Sequence, residues 1–184
     1  MDPSNETVVL DTRRWLERAV IGLNLCPFAK AVHVKGLVHF AVSDARGANE
    51  LLDDVRKELD ALAAVDIEVR ETTLLIAPRC LADFLDFNDF LELADRALRK
   101  SGLEGVIQIA SFHPHYRFAD TEEGDITNFT NRSPYPIVHL LREESIDRAV
   151  ESFPEAEAIF EGNIETMRRL GAEGWDKLDV GPSR

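Results

Sequence analysis

Between Ile109 and Glu143 the chain gathers most of the side chains able to do chemistry on a small molecule. They are His113, His115, Tyr116, Asn128, Asn131, Arg132, Tyr135, His139 and Arg142, in a stretch fixed by Pro114, Pro134 and Pro136. A loop of this length is uncommon in a compact domain unless it is functional or disordered, and its aromatic side chains argue against disorder. The imidazoles of His113, His115 and His139 are suited to moving protons. Asn128, Asn131, Arg132 and Arg142 carry paired or forked donors that suit a carboxylate or phosphate. Local positive charge on an acidic background would focus a small anion there. The bland reading is that the asparagines serve turn backbone and that Arg132 pairs with Glu122, Glu123 or Asp125.

Cys26 is the second candidate. Pro27 follows it at what reads as the first position of a short helical turn, where backbone N–H groups and the helix dipole would favour a thiolate nucleophile. The competing reading is a buried thiol in an apolar Leu25-Cys26-Pro27-Phe28 turn. Cys26-Pro27-Phe28-Ala29 is similar to the active-site start of some glutaredoxin-like domains, but a helix precedes it here where a strand is needed there. Cys80 has no polar company. His113 and His115 at i, i+2 point the same way in extended chain, so with His139 they form a candidate zinc set with an open position. No glycine-rich phosphate cradle is present, so a nucleotide cofactor is not supported and the cofactor is left unknown.

The elements that must position these groups follow from hydrophobic spacing. Asp11 or Thr12 is read as the cap of a helix carrying Trp15, Leu16, Ala19, Val20 and Leu23. Strands are expected over 37–42, 73–77 and 106–110. Between them lie amphipathic helices over about 47–64, with Leu51, Leu52, Val55, Leu59 and Leu62 on the apolar face, and 81–100, with Phe84, Phe87, Phe90, Leu91, Ala94 and Leu98 on one side. The run 136–142 is short enough to be either type, and its β-branched pair Ile137-Val138 favours a strand. As a strand it would put His139 and Arg142 on opposite faces. A last helix spans about Pro154 to Leu170, with Gly171 as its stop. The alternation predicts an α/β (or α+β) two- to three-layer sandwich, with a three- to four-stranded sheet packed by amphipathic helices. One domain over 1–184 is expected, with tails at 1–10 and 176–184.

Composition sets the outer limits. A net charge of -13 disfavours nonspecific attraction to nucleic acid or to an anionic membrane surface. No segment is apolar for long enough to span a bilayer, and no secretion signal is read, so a cytoplasmic setting is expected, with both cysteines as thiols.

Five strings carry a resemblance: Leu23 to Lys30 (LNLCPFAK), Glu71 to Pro78 (ETTLLIAP), Gln108 to Tyr116 (QIASFHPHY), Asn128 to Pro136 (NFTNRSPYP) and His139 to Glu143 (HLLRE). Together they make the chain, from about Trp15 to Trp175, resemble a bacterial family catalogued as domain of unknown function 1415. The resemblance implies a single-domain soluble bacterial protein and transfers no catalytic residues.

The expectation is therefore an enzyme acting on a small anionic or carbonyl-bearing metabolite. Cys26, His113, His115 and His139 are its catalytic candidates, and Asn128, Asn131, Arg132, Tyr135 and Arg142 its binding candidates. The alternatives are a protein-interaction or ligand-binding module and, more weakly, a zinc protein. A closed pocket would favour the enzyme, and a flat exposed patch of Tyr116, Phe118, Phe129 and Tyr135 would favour a protein partner.

Overall fold

The structure, a computed structural model, describes residues 2–153 and 155–183. Four strands, β1 (Val38–Val42), β2 (Thr72–Ile76), β3 (Ile107–Phe112) and β4 (Ile137–Arg142), form one mixed sheet in the order β1-β2-β4-β3. β1 and β2 pair in parallel, and β4 runs antiparallel to both β2 and β3. Helices cover both faces, so the architecture is an α/β sandwich of three layers.

One face is built by α3 (Ala48–Ala64) and α4 (Phe84–Lys100). The stripe Leu51, Val55, Leu59 and Leu62 of α3 and Phe87, Phe90, Ala94 and Leu98 of α4 meet Leu75, Ile107, Val138 and Leu140 of the sheet. Full burial of a large apolar side chain of this kind contributes roughly 1.5–3 kcal/mol, so the stripes account for where both helices sit. α4 begins later than its apolar spacing suggests. The Asp83 carboxylate accepts hydrogen bonds from Leu85 N–H and Asp86 N–H at 2.8 and 3.1 Å, and so fixes the first turn at Phe84.

The opposite face is covered by α1 (Asn5–Trp15), its π-helical continuation Leu16–Ile21, α2 (Ala29–Val34), α5 (Glu143–Ser152) and α6 (Ala156–Lys177). Trp15, Leu16, Ala19 and Val20 pack there on Leu74, Ile76 and Ile137. The expected start of the first helix at Asp11 or Thr12 is corrected. Ser4 is the cap, its Oγ accepting from Thr7 N–H at 3.1 Å, and Val8 is fully buried. Asp11 instead lies inside the helix with no exposed surface, where Tyr135 Oη–H donates to it at 2.7 Å and Ser183 donates from both N–H and Oγ–H. Burial works against its charge, yet these donors and Arg14 at 3.1 Å hold the carboxyl below its ordinary range. Where loose segments are expected, Asn5 to Leu10 are helical and Val8 and Val180 reach the core.

The last helix runs beyond its expected span. Gly171, at φ 66°, breaks the helical path where the sequence predicts a stop, and a further turn follows to Lys177. Pro154, read as lying in the first turn, is outside the described residues.

Candidate functional site: a cavity beneath α5

The strand alternation of β4 sends Val138 and Leu140 to the α3–α4 side and His139 to the other. There His139 lines a half-open cavity of about 330 Å³ bounded by the sheet, the π-helical turn, α2 and α5. The walls are mostly apolar, with Trp15, Val20, Val32, Leu74, Phe112 and Ile146 among them, while Cys26, Glu71, Thr72, His139, Arg142 and Ser145 supply the polar atoms. A wider and more open groove of about 540 Å³ lies between α1 and β1, where Arg13 stacks over Phe40 at 5.0 Å. It has no comparable enclosed polar cluster.

Hydrogen bonding fixes the tautomer of His139. Thr72 Oγ1 donates its single proton to Leu140 O at 2.7 Å, so at its 2.7 Å contact with His139 Nε2 the hydroxyl must be the acceptor. The ring is therefore protonated on Nε2 and bare on Nδ1, and among the described residues Nδ1 makes no hydrogen bond. Burial among apolar side chains lowers the ring's pKa from 6.5 to about 4, so the imidazole is neutral at physiological pH. Thr72 reaches His139 as a diagonal neighbour, because Thr72 lies opposite Leu141 and Leu74 opposite His139.

Ser145 is the second unusual group. Its Oγ is buried and has no hydrogen-bond partner among the described residues, a rare condition for a hydroxyl. It sits in the first turn of α5, an amphipathic helix in which no residue counts as buried. The apolar positions Ile146, Ala149 and Val150 line the cavity, so the inward face of α5 covers open space where the other helices cover core. Glu71 also lines the cavity, with Arg148 at 3.9 Å.

Among the candidates read from the sequence, the structure brings Cys26, His139 and Arg142 to this cavity. Arg142 is not free to bind an anion through its Nε and one terminal nitrogen. Nε–H donates to Arg70 O at 3.2 Å, and Nη2 donates to Val65 O at 2.6 Å and Arg70 O at 2.9 Å, so the guanidinium ties α3 and the segment after it to β4.

The other candidates do not reach the cavity, and their donors serve the loop itself. Asn128, with no exposed surface, accepts from Phe118 N–H and Thr121 Oγ1–H at 2.9 Å each and donates to Glu122 O at 2.8 Å. Asn131 donates to Ser111 O at 3.3 Å. Arg132 donates to Tyr116 O and Glu123 O and stacks 4.2 Å over the Phe129 ring. Burial, and then its hydrogen bond to Asp11, push the Tyr135 phenol above its ordinary pKa. The expected convergence of this loop on a shared cavity is therefore corrected. The loop is held in place, but its polar tips are the means of holding it.

The three-histidine set is not assembled either. His113 is fully buried on the α4 side between Phe84 and Phe87, with ring centroids at 5.4 and 5.0 Å, whereas His139 is on the other face. His113 Nε2–H donates to Leu81 O at 3.0 Å and its Nδ1 accepts from His115 N–H at 3.0 Å, so both ring nitrogens are engaged. Burial pushes its pKa down. His115 is exposed. Among the described residues no three His, Cys, Asp or Glu side chains are grouped to hold a metal ion.

The flat aromatic patch is also missing. Tyr116 and Phe118 are half-buried in a run with Phe84, and Phe129 packs on Trp175 at 5.4 Å.

Sequence reasoning missed Thr72 as the partner of His139 and Ser145 as a cavity residue. The period-two placement of His139 was the available signal for the first, and the apolar triplet Ile146, Ala149 and Val150 on one face of α5 for the second.

Among the described residues no helix is long and apolar enough to cross a membrane. No curated protein and no solved structure matches the chain. Residues 7–177 match the family described as protein of unknown function (DUF1415), and the chain belongs to that family.

Proposed function

We propose that the protein receives a small, uncharged and largely apolar molecule in the cavity beneath α5. The observation that carries this reading is the bare Nδ1 of His139, a neutral acceptor held by Thr72 in an otherwise apolar wall. Concave, mainly apolar cavities with a few fixed polar groups are the usual small-molecule sites. At about 30 Å³ per water-sized group, 330 Å³ holds roughly ten non-hydrogen atoms. An uncharged ligand is favoured over the expected anion because Nε and Nη2 of both Arg132 and Arg142 donate to backbone carbonyls.

A thermal-shift screen tests the reading by mass action. Uncharged apolar compounds of this size should raise the melting temperature, and dicarboxylates and phosphates should not. The opposite ranking would overturn the proposal.

An enzymatic reading is favoured by one further observation: Cys26 lines the same cavity as His139. In that reading the Cys26 sulfur bonds to the carbonyl carbon of a carbonyl-bearing ligand, the C=O π pair moves onto the carbonyl oxygen, and the thiol proton passes by way of His139 Nδ1 to that oxygen, giving a hemithioacetal. Cys80, whose thiol is pushed up in pKa by burial, is the internal control. Ligand-sensitive alkylation confined to Cys26 supports this reading, and equal labelling of both cysteines with and without ligand counts against it. The free thiols and the net charge of -13 fit a bacterial cytoplasmic protein with no nucleic-acid partner.

A further inference from the structure

We infer that the ligand carries a hydroxyl head group, bound between His139 Nδ1 and Ser145 Oγ, and a hydrocarbon tail lying under α5. This inference rests on the cavity being a ligand site and adds the chemical class. Two of the polar atoms in the wall that have no hydrogen-bond partner among the described residues, His139 Nδ1 and Ser145 Oγ, have different requirements. His139 Nδ1 can only accept, because Nε2–H is engaged by Thr72, whose own proton goes to Leu140 O. Ser145 Oγ can donate or accept, and its buried oxygen has no partner.

A ketone oxygen can satisfy Ser145 but leaves Nδ1 bare, and a hydrocarbon satisfies neither. A carboxylate adds a negative charge beside Glu71 in a cavity where the Arg142 guanidinium donates to Val65 and Arg70 carbonyls. One hydroxyl satisfies both atoms, since it donates its proton to Nδ1 and accepts the proton of Ser145. An imidazole with a pKa of about 4 leaves that hydroxyl protonated, so the contact is recognition without ionisation.

The tail is specified by α5. Ile146, Ala149 and Val150 line the cavity together with Trp15, Val20 and Phe112, and Val150 is 50% exposed. A hydrocarbon chain there gives the helix the packing partner that its amphipathic pattern implies.

The test compares octanol, methyl hexyl ketone, octane and octanoate on the full chain, with binding followed by thermal shift and by amide exchange of α5. Octanol should bind roughly fivefold more tightly than the ketone, as expected for one additional hydrogen bond, and octanoate should bind least. Octanol should also slow exchange in α5 and move the ¹⁵N resonance of His139 Nδ1, whereas octane should leave that resonance in place. Ser145→Ala should remove roughly fivefold of octanol affinity and leave octane binding unchanged.

Equal binding of octanol, ketone and octane would overturn the head-group inference while the cavity reading stands. Failure of all four to bind would overturn both. Protection of α5 that follows protein concentration with no octanol present would mean that a second copy of the chain covers the helix, which also overturns the inference.

Discussion

Replacing His139 by glutamine should remove a specific acid sensitivity from the protein. In the folded state the ring's pKa is about 4, against 6.5 for an unperturbed histidine, because its apolar surroundings disfavour the imidazolium. The unfolded chain therefore binds the proton more readily than the folded one. Stability attached to this group is complete above pH 6.5 and is lost as the pH falls towards 4. At about 1.4 kcal/mol per tenfold change, the full difference is about 3.5 kcal/mol, of which about 2 kcal/mol is already lost at pH 5.

Urea unfolding at a series of pH values measures it, with His139→Gln as the reference so that the titration of carboxylates and of His113 cancels. The stability of the wild type relative to the variant should fall by about 2 kcal/mol between pH 7 and pH 5. A difference that stays flat across that range would mean that the imidazole is solvated. The account of a dry cavity wall would then be wrong.

Three further outcomes follow from the same structure. Asn128→Ala leaves Phe118 N–H and Glu122 O without their partner and should cost about 2–4 kcal/mol in urea unfolding, while octanol affinity stays unchanged. Ala149→Phe should fill the cavity from α5, raising stability by about 0.5–1 kcal/mol and abolishing octanol binding, as read by thermal shift and calorimetry. Tyr135→Phe withdraws a donor from the buried Asp11 carboxylate and should lower stability by about 2 kcal/mol at neutral pH. Asp11 has a depressed pKa, so its stabilisation is present above about pH 4 and lost below it, and the penalty of Tyr135→Phe should shrink in acid urea titrations.

The layers of this fold were legible because they depend on local spacing. Leu51, Val55, Leu59 and Leu62 repeat at helical intervals, and Ile137-Val138 tips a run of otherwise undecided type towards a strand. Once β4 is a strand, period two separates His139 from Val138 and Leu140, but Arg142, at the end of the strand, lines the same cavity as His139, against the expected separation of those two. The partner of His139 did not follow, because Thr72 is 67 residues away and comes into reach only through the β2–β4 register. That register is a property of the folded sheet.

The loop from His113 to Tyr135 misled for a different reason. Asparagine and arginine serve turn carbonyls with the same donors that would hold a carboxylate, and composition does not distinguish the two uses. Asp11 misled in the same way. A carboxylate followed by a threonine reads as a helix cap, yet here Ser4 caps the helix and Asp11 anchors Ser183.

The most direct test of the central claim is a crystal structure of the protein grown with octanol. Ligand density between Trp15, Phe112 and α5, with its oxygen in reach of His139 Nδ1 and Ser145 Oγ, is the predicted result. An empty cavity together with ligand density at the loop around His115, Asn131 and Arg132 would contradict it.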